Sequence, residues 1–246
     1  MTDKAKGRIA LVTGASRGIG RATAIALARE GAHIIAVART VGALEALDDE
    51  IRSVGGSASL VPLDLKDYDG LDRLGATLYE RYGYVDVVVG NAGVLGPMSP
   101  LGHVDPKGWD EVMAVNVTAN WRLIRSMDPL LRLSAAGRAI FVTSGAAWKA
   151  NAYWGPYAVS KAALDTLVRT YAAETATTAI RVNLLSPGAT RTKMRAAAMP
   201  GEDPMTLPPP EAIAEVIVAM ANPDFNETGK VHDFRAGTLM SFRSPA

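Results

Sequence analysis

The chain reads as a single α/β domain, a doubly wound parallel sheet of about seven strands flanked by helices. Two observations predict it. Short apolar runs rich in branched residues alternate with longer stretches of helical spacing. A glycine-rich turn directly follows the first of those runs. Alternation of this kind implies parallel strands joined by right-handed crossovers, with helices on both faces of the sheet. No linker, low-complexity segment or internal repeat interrupts the pattern, so residues 1–246 are read as one domain.

Residues 9–12 (IALV) form a continuous apolar run, as expected of a strand buried on both faces. Gly14, Gly18 and Gly20 follow, and residues 21–30 continue with helical spacing until Gly31. Residues 33–38 give the second strand, and further strands are expected at 58–62, 85–89, 138–143, 180–185 and 231–234. Helices are expected near 42–53, 68–82, 107–133, 157–176 and 209–221. One stretch departs from this rhythm. Residues 190–210 are rich in Met, Ala and Pro and follow the sixth strand. They stand on the carboxyl side of the sheet, where ligands bind, and read as a flap over the substrate.

The strand, glycine turn and helix at the start read as a Rossmann-type nucleotide site, against the alternative of a tight strand–helix turn with no ligand. Glycines let the backbone turn sharply and approach a ligand, and a helix N-terminus offers unpaired N–H groups to a pyrophosphate. The spacing is G-x-x-x-G-x-G rather than G-x-G-x-x-G. At the end of the second strand an acidic residue would bind a ribose 2′-hydroxyl. Here that position is Ala38, followed by Arg39. Arg39 and Arg17 are bases suited to a 2′-phosphate, so NADP(H) is expected over NAD(H). The competing reading makes Arg39 a solvated loop charge and leaves NAD open.

The stretch SGAAWKANAYWGPYAVSK, residues 144–161, carries the chemistry. Tyr157 and Lys161 stand four apart, and Ser144 precedes the tyrosine by thirteen residues. On a helix, residues four apart share a face, about 5–6 Å from Cβ to Cβ. A free phenol has a pKa of about 10 and is a poor acid or base at neutral pH. A neighbouring ammonium is expected to lower it into the working range of a general acid–base.

Composition sets bounds. Lys and Arg number 26 against 25 Asp and Glu, a net charge of +1, which gives no reason to expect a nucleic-acid partner. There is no cysteine, so disulfides and thiolate chemistry are excluded. His33, His103 and His232 are scattered without metal-ligand spacing, and no metal site is expected. No apolar run reaches the roughly 20 residues of a membrane helix, and the polar start MTDKAKGR lacks the core of a signal peptide. A cytoplasmic protein is the expectation.

With these motifs in order, the chain resembles the short-chain dehydrogenase/reductase family from about residue 7 to 237. T-G-x-x-x-G-x-G spans 13–20, an aspartate follows as Asp64, and N-A-G is Asn91, Ala92 and Gly93. A helix asparagine is Asn116, and Pro187, Gly188 and Thr192 give P-G-x-x-x-T. The segments WGPYAVSK and TRTKMRAAAMPGEDP resemble a bacterial subgroup of oxidoreductases without an assigned substrate.

The resemblance implies that Asn116, Ser144, Tyr157 and Lys161 are catalytic. Tyr157 exchanges a proton with a carbonyl or alcohol oxygen, Ser144 polarises that oxygen, and Lys161 lowers the phenol pKa and binds the nicotinamide ribose. Asn116 holds a water linking Lys161 to solvent. The implied cofactor set is Gly14, Ser16, Arg17, Gly18, Ile19, Gly20, Arg39, Asp64, Leu65, Asn91, Ala92, Gly93, Pro187, Gly188, Thr190 and Thr192, with Tyr157 and Lys161. Ala146, Trp154 and Met194 are expected to touch substrate, with Leu95, Pro97, Met98, Trp148 and Met199 crowding the wall, so an uncharged, partly hydrophobic carbonyl or secondary alcohol is expected. A homotetramer, or a homodimer, is implied, built on the helices carrying Asn116 and Tyr157 and on the tail through Ala246. The alternatives are a dinucleotide-binding sensor or scaffold without turnover, an NAD-linked alcohol dehydrogenase, and an epimerisation or dehydration on the same site.

Overall fold

A computed structural model describes residues 7–242; Asp3, Lys4 and Lys6 of the polar N-terminal run and the tail residues 243–246 lie outside the described residues. The sheet has eight strands: β1 (Ile9–Thr13), β2 (His33–Ala38), β3 (Ser57–Pro62), β4 (Val87–Gly90), β5 (Arg138–Val142), β6 (Arg181–Ser186), β7 (Lys230–Asp233) and β8 (Thr238–Ser241). Their order is β3-β2-β1-β4-β5-β6-β7-β8. Every pair is parallel except the last, where β8 runs antiparallel to β7. The sheet thus has one strand beyond the about seven expected. Thr238–Ser241 is mostly exposed, so no buried apolar run announced it.

The sequence of β1 shows why the sheet is covered twice. All five of its residues are buried, and alternate side chains point to opposite faces. Ile9 and Leu11 join one core with Leu74, Leu123, Met127, Leu164 and Val168. These come from α3 (Tyr68–Tyr82), α5 (Ala119–Leu133) and α7 (Gly155–Glu174). Ala10 and Val12 join the other, with Leu27, Leu44, Leu47, Ile213 and Ile217. Those come from α1 (Gly18–Arg29), α2 (Val41–Ser53) and α9 (Pro210–Ala221). At roughly 25 cal/mol per Å² of apolar surface removed from water, these two cores dominate the folding free energy.

The helix expected over 107–133 divides. α4 (Pro106–Met113) passes through a π-helical stretch, Ala114–Thr118, into α5. Single-turn π segments inside helices are rare and gather at functional sites. Asn116 stands at the centre of this one. The 190–210 region holds α8 (Lys193–Ala198) and a 3₁₀ turn, Pro204–Thr206. It is closed on itself by Arg195, which meets both carboxylate oxygens of Glu202 at 2.5 and 2.7 Å. Among the described residues no helix is long and apolar enough to cross a membrane.

The order of the strands places the ligand. The chain runs outward from β1 to β3, then returns to add β4 on the other side of β1. At such a switch point the loops leaving neighbouring strands diverge and open a crevice at the carboxyl ends.

Candidate active site

That crevice is a cleft of ≈ 1240 Å³. Single small-molecule sites span about 300–1,000 Å³, so there is room for a dinucleotide and a second molecule. At its floor two loops lie in contact. Asn91 Nδ2 donates to Thr13 O at 3.0 Å, and the Thr13 hydroxyl accepts from the backbone N–H of Asn91 and Ala92 at 3.1 and 3.2 Å. This closeness is why the glycines are required. A Cβ on Gly20 would sit 2.4 Å from both Asn91 Nδ2 and Gly14 O, and one on Gly14 would sit 2.9 Å from Asn91 Nδ2. Gly18 takes φ +57, a left-handed conformation that glycine adopts without strain.

The N-terminus of α1 opens on this cleft with no side-chain cap. Its first-turn N–H groups and positive dipole end are thereby free for an anion. Arg17 and Arg39 line the cleft, both exposed. Neither side chain has a hydrogen bond or ion pair within the described residues, whereas Arg21 nearby is paired with Glu50. The cradle fits a dinucleotide: Gly14, Ser16, Gly18 and Ile19 would face its pyrophosphate, and Arg17 and Arg39 its adenosine side. Asp64, Leu65, Ala92, Gly93, Pro187, Gly188, Thr190 and Thr192 also line the cleft. Gly20 lies behind it as a packing glycine. Two hydroxyls have a local task. The Thr192 hydroxyl accepts from Arg195 N at 3.2 Å and caps α8, and the Thr190 hydroxyl donates to Pro187 O at 3.3 Å.

Ser144, Tyr157 and Lys161 converge in the cleft. Helix α7 supplies the last two on one face, and the turn after β5 supplies the first. The Lys161 ammonium lies 5.8 Å from the Tyr157 ring centroid. It is 3 % exposed and donates to Val142 O at 2.8 Å. Burial lowers its pKa from 10.5 to about 8, with Asp165 opposing the shift. Tyr157 departs from the sequence expectation. Burial pushes its phenol above the ordinary tyrosine value, and a hydrogen bond with Ser144 pulls it back. The desolvation of an 8 %-exposed ring outweighs the Ser144 hydrogen bond, and the Lys161 ammonium, which donates to Val142 O, is not among the groups that offset it.

Asn116 is fully buried. Its Oδ1 accepts from Val94 N at 2.8 Å, and its Nδ2 donates to Val94 O and Ser160 Oγ at 2.9 and 3.0 Å. Asn120 Nδ2 donates to the Asn116 carbonyl at 2.9 Å. The side chain thus ties the loop after β4 to α7, and the π turn is the backbone arrangement in which it does so.

On the far side, Leu95, Ala146, Trp148, Trp154 and Met194 line the cleft, and Pro97, Met98 and Met199 do not. Pro97 packs instead on Gly108, where a Cβ would lie 3.1 Å from its ring. Trp154 meets Tyr157 edge to face, with centroids 6.0 Å apart.

Sequence reasoning missed Asp165 and Ser160 around this site and weighed Thr143 only as the neighbour of Ser144. The signal for Asp165 is the helical spacing that pairs Tyr157 with Lys161, since 157, 161 and 165 continue one helix face.

A family model described as short chain dehydrogenase matches residues 8–203. An uncharacterized oxidoreductase of Escherichia coli K12, YciK, is 37% identical over 94% of this chain and 92% of its own. An uncharacterized NAD-dependent oxidoreductase of Mycobacterium tuberculosis is 36% identical over 87% of this chain and 89% of its own. Among solved structures, a short chain dehydrogenase from Shigella flexneri complexed with NADP superposes with a TM-score of 0.92 at 35% identity, over 96% of this chain and 100% of that one. Another from Escherichia coli, complexed with NADPH, gives 0.92 at 36% identity over 96% and 99%. The chain belongs to the short-chain dehydrogenase/reductase family of NAD(P)-dependent oxidoreductases.

Proposed function

We propose that this protein is an NADP(H)-dependent oxidoreductase that interconverts a carbonyl and a secondary alcohol, with Tyr157 as general acid–base. The observation that carries the reading is the convergence of Ser144, Tyr157 and Lys161 in one cleft with the glycine cradle. The bound nicotinamide supplies or accepts the hydride. The chain's own residues do the rest. Ser144 Oγ holds the carbonyl oxygen beside the phenol. Tyr157 Oη gives that oxygen a proton as negative charge develops on it, which is where fixed donors contribute most. Lys161, its pKa lowered to about 8 by burial, favours loss of the phenol proton and binds the ribose. Asn116 keeps the loop after β4 and helix α7 in register. The proton route to solvent by a water at Asn116 is part of the same proposal.

NADP(H) is supported by the two free arginines at the adenosine end and by the two neighbours solved with NADP and NADPH. The relative called NAD-dependent makes NAD the competing cofactor. Fluorescence titration of NADPH against NADH, with Arg39→Ala alongside, tests this. The expected result is an NADPH preference that falls about tenfold or more in the variant, the value of a charge-assisted bond. Equal affinity in the wild type would overturn the NADP reading.

The wall of Leu95, Ala146, Trp154 and Met194 supports an uncharged, partly hydrophobic substrate, and residues 190–210 act as its flap. We also propose a cytoplasmic homotetramer or homodimer. Exposed Trp121 and Leu133 on α5 and Val159 on α7 support self-association through those helices. Light scattering on the eluted protein that gives only a monomer would contradict it.

A further inference from the structure

Val142, Thr143 and Ser144 are consecutive, at the carboxyl end of β5 and into the turn beyond it. Helix α7 holds the first two from successive turns. Lys161 Nζ donates to Val142 O at 2.8 Å, and one turn on, the Thr143 hydroxyl donates to Asp165 Oδ1. Tyr157 stands one turn before Lys161 on the same helix. Residues 157, 161 and 165 therefore share one face, and that face meets Ser144, Val142 and Thr143 respectively.

Asp165 is 4 % exposed, and its carboxylate is met by two side chains, the Thr143 hydroxyl and Trp148. Burying a carboxylate costs folding free energy, and this one is buried where the Ser144 turn and the Tyr157 helix meet.

We propose that Asp165, acting through Thr143, is a positioning residue of the active site. It fixes the turn carrying Ser144 against the helix carrying Tyr157 and Lys161, and its carboxylate is the counter-charge of the Lys161 ammonium. The inference rests on the tyrosine chemistry proposed above. The groups facing Asp165 are Lys161 and Arg169 on its own helix, Thr143 from β5, and Trp148 from α6 (Ala146–Lys149). Burial raises the Asp165 pKa to about 6, and these four groups pull it back.

The test uses the NADPH-loaded protein with phenanthrenequinone as probe carbonyl. Thr143→Val removes the hydroxyl and keeps the shape, and Thr143→Ser restores it. The expected result is a kcat about tenfold lower or more in Thr143→Val, because small misplacements at a reacting centre are costly. NADPH affinity should hold, and Thr143→Ser should recover the rate. Asp165→Asn should shift the basic limb of the kcat profile to lower pH, since Lys161 loses the charge that favours its protonated form. A purely structural residue would not move that limb. Wild-type rates in Thr143→Val with an unshifted profile in Asp165→Asn would overturn the proposal. A crystal structure of Thr143→Val with NADPH tests the same point without a substrate: Ser144 Oγ displaced from Tyr157 Oη is expected, and an unmoved Ser144 overturns the inference. Tyr157→Phe run alongside separates the two readings. If it retains turnover, the tyrosine chemistry fails; if it is dead while Thr143→Val is normal, only the role of Asp165 fails.

Discussion

At the amino end of the sheet two buried arginines each give several donors to backbone carbonyls; at the carboxyl end one buried lysine gives one. Arg138 donates to the carbonyls of Asn222, Gly137, Ala179 and Pro223. Arg8 donates to those of Ala221, Asp86 and Ala136, with Asp86 as its nearby carboxylate at 4.0 Å. Both arginines thereby clamp the starts of β1 and β5, and the carbonyls of Ala221, Asn222 and Pro223 place them at the C-terminal end of α9, where the helix dipole favours a cation. Lys161 has three donors and gives one to a protein carbonyl. Burial lowers Arg138 to about 10 and Lys161 to about 8. The arginines tie several carbonyls of the fold together. The lysine has a single hydrogen bond to the protein among the described residues.

The largest effect should come from breaking this contrast at both ends. Lys161→Ala is expected to lower turnover about a hundredfold to ten-thousandfold with little change in the urea midpoint. Arg138→Ala should do the reverse, costing on the order of 3–5 kcal/mol because several carbonyls lose a buried donor, with turnover per folded site unchanged. Loss of stability in the lysine variant to match the arginine variant would erase the distinction.

A smaller effect sharpens it. Asp165 has a folded pKa of about 6, above the unfolded value of 3.8. Between about pH 4 and 6 the folded state therefore binds more protons, and this group's contribution to stability falls as pH rises through that window. Asp165→Asn should lack this fall, so its stability relative to wild type should improve from pH 4 to pH 6 in denaturant titrations. A pH-independent difference would mean that the carboxylate is not strained by burial. The smallest effect belongs to residues 190–210: Arg195→Met breaks a pair near the surface and should lower the thermal unfolding midpoint less than any variant above.

Much of the fold and the site is legible in residue order, for a physical reason. β1, β4 and β5 are buried along their entire lengths, so their apolar runs need no partner to be read. The glycine turn and the Tyr157/Lys161 spacing are local features too. What escapes depends on contacts distant in sequence. Arg138 meets Asn222 across 84 residues, and Asn116, in the π segment, meets Val94, 22 residues back. Pro97 and Met98 look like wall residues by position, but the loop after β4 carries them away from the cleft. Spacing shows the charge beside Tyr157 and so predicts a lowered pKa. Desolvation, invisible in spacing, has the larger say.

The central claim is that the carboxyl end of the sheet performs proton transfer through Tyr157. Tyr157→Phe, assayed for carbonyl-dependent NADPH oxidation together with NADPH titration, tests it most directly. The account predicts that turnover is lost while NADPH binds as in the wild type; a variant that turns over at the wild-type rate would contradict it.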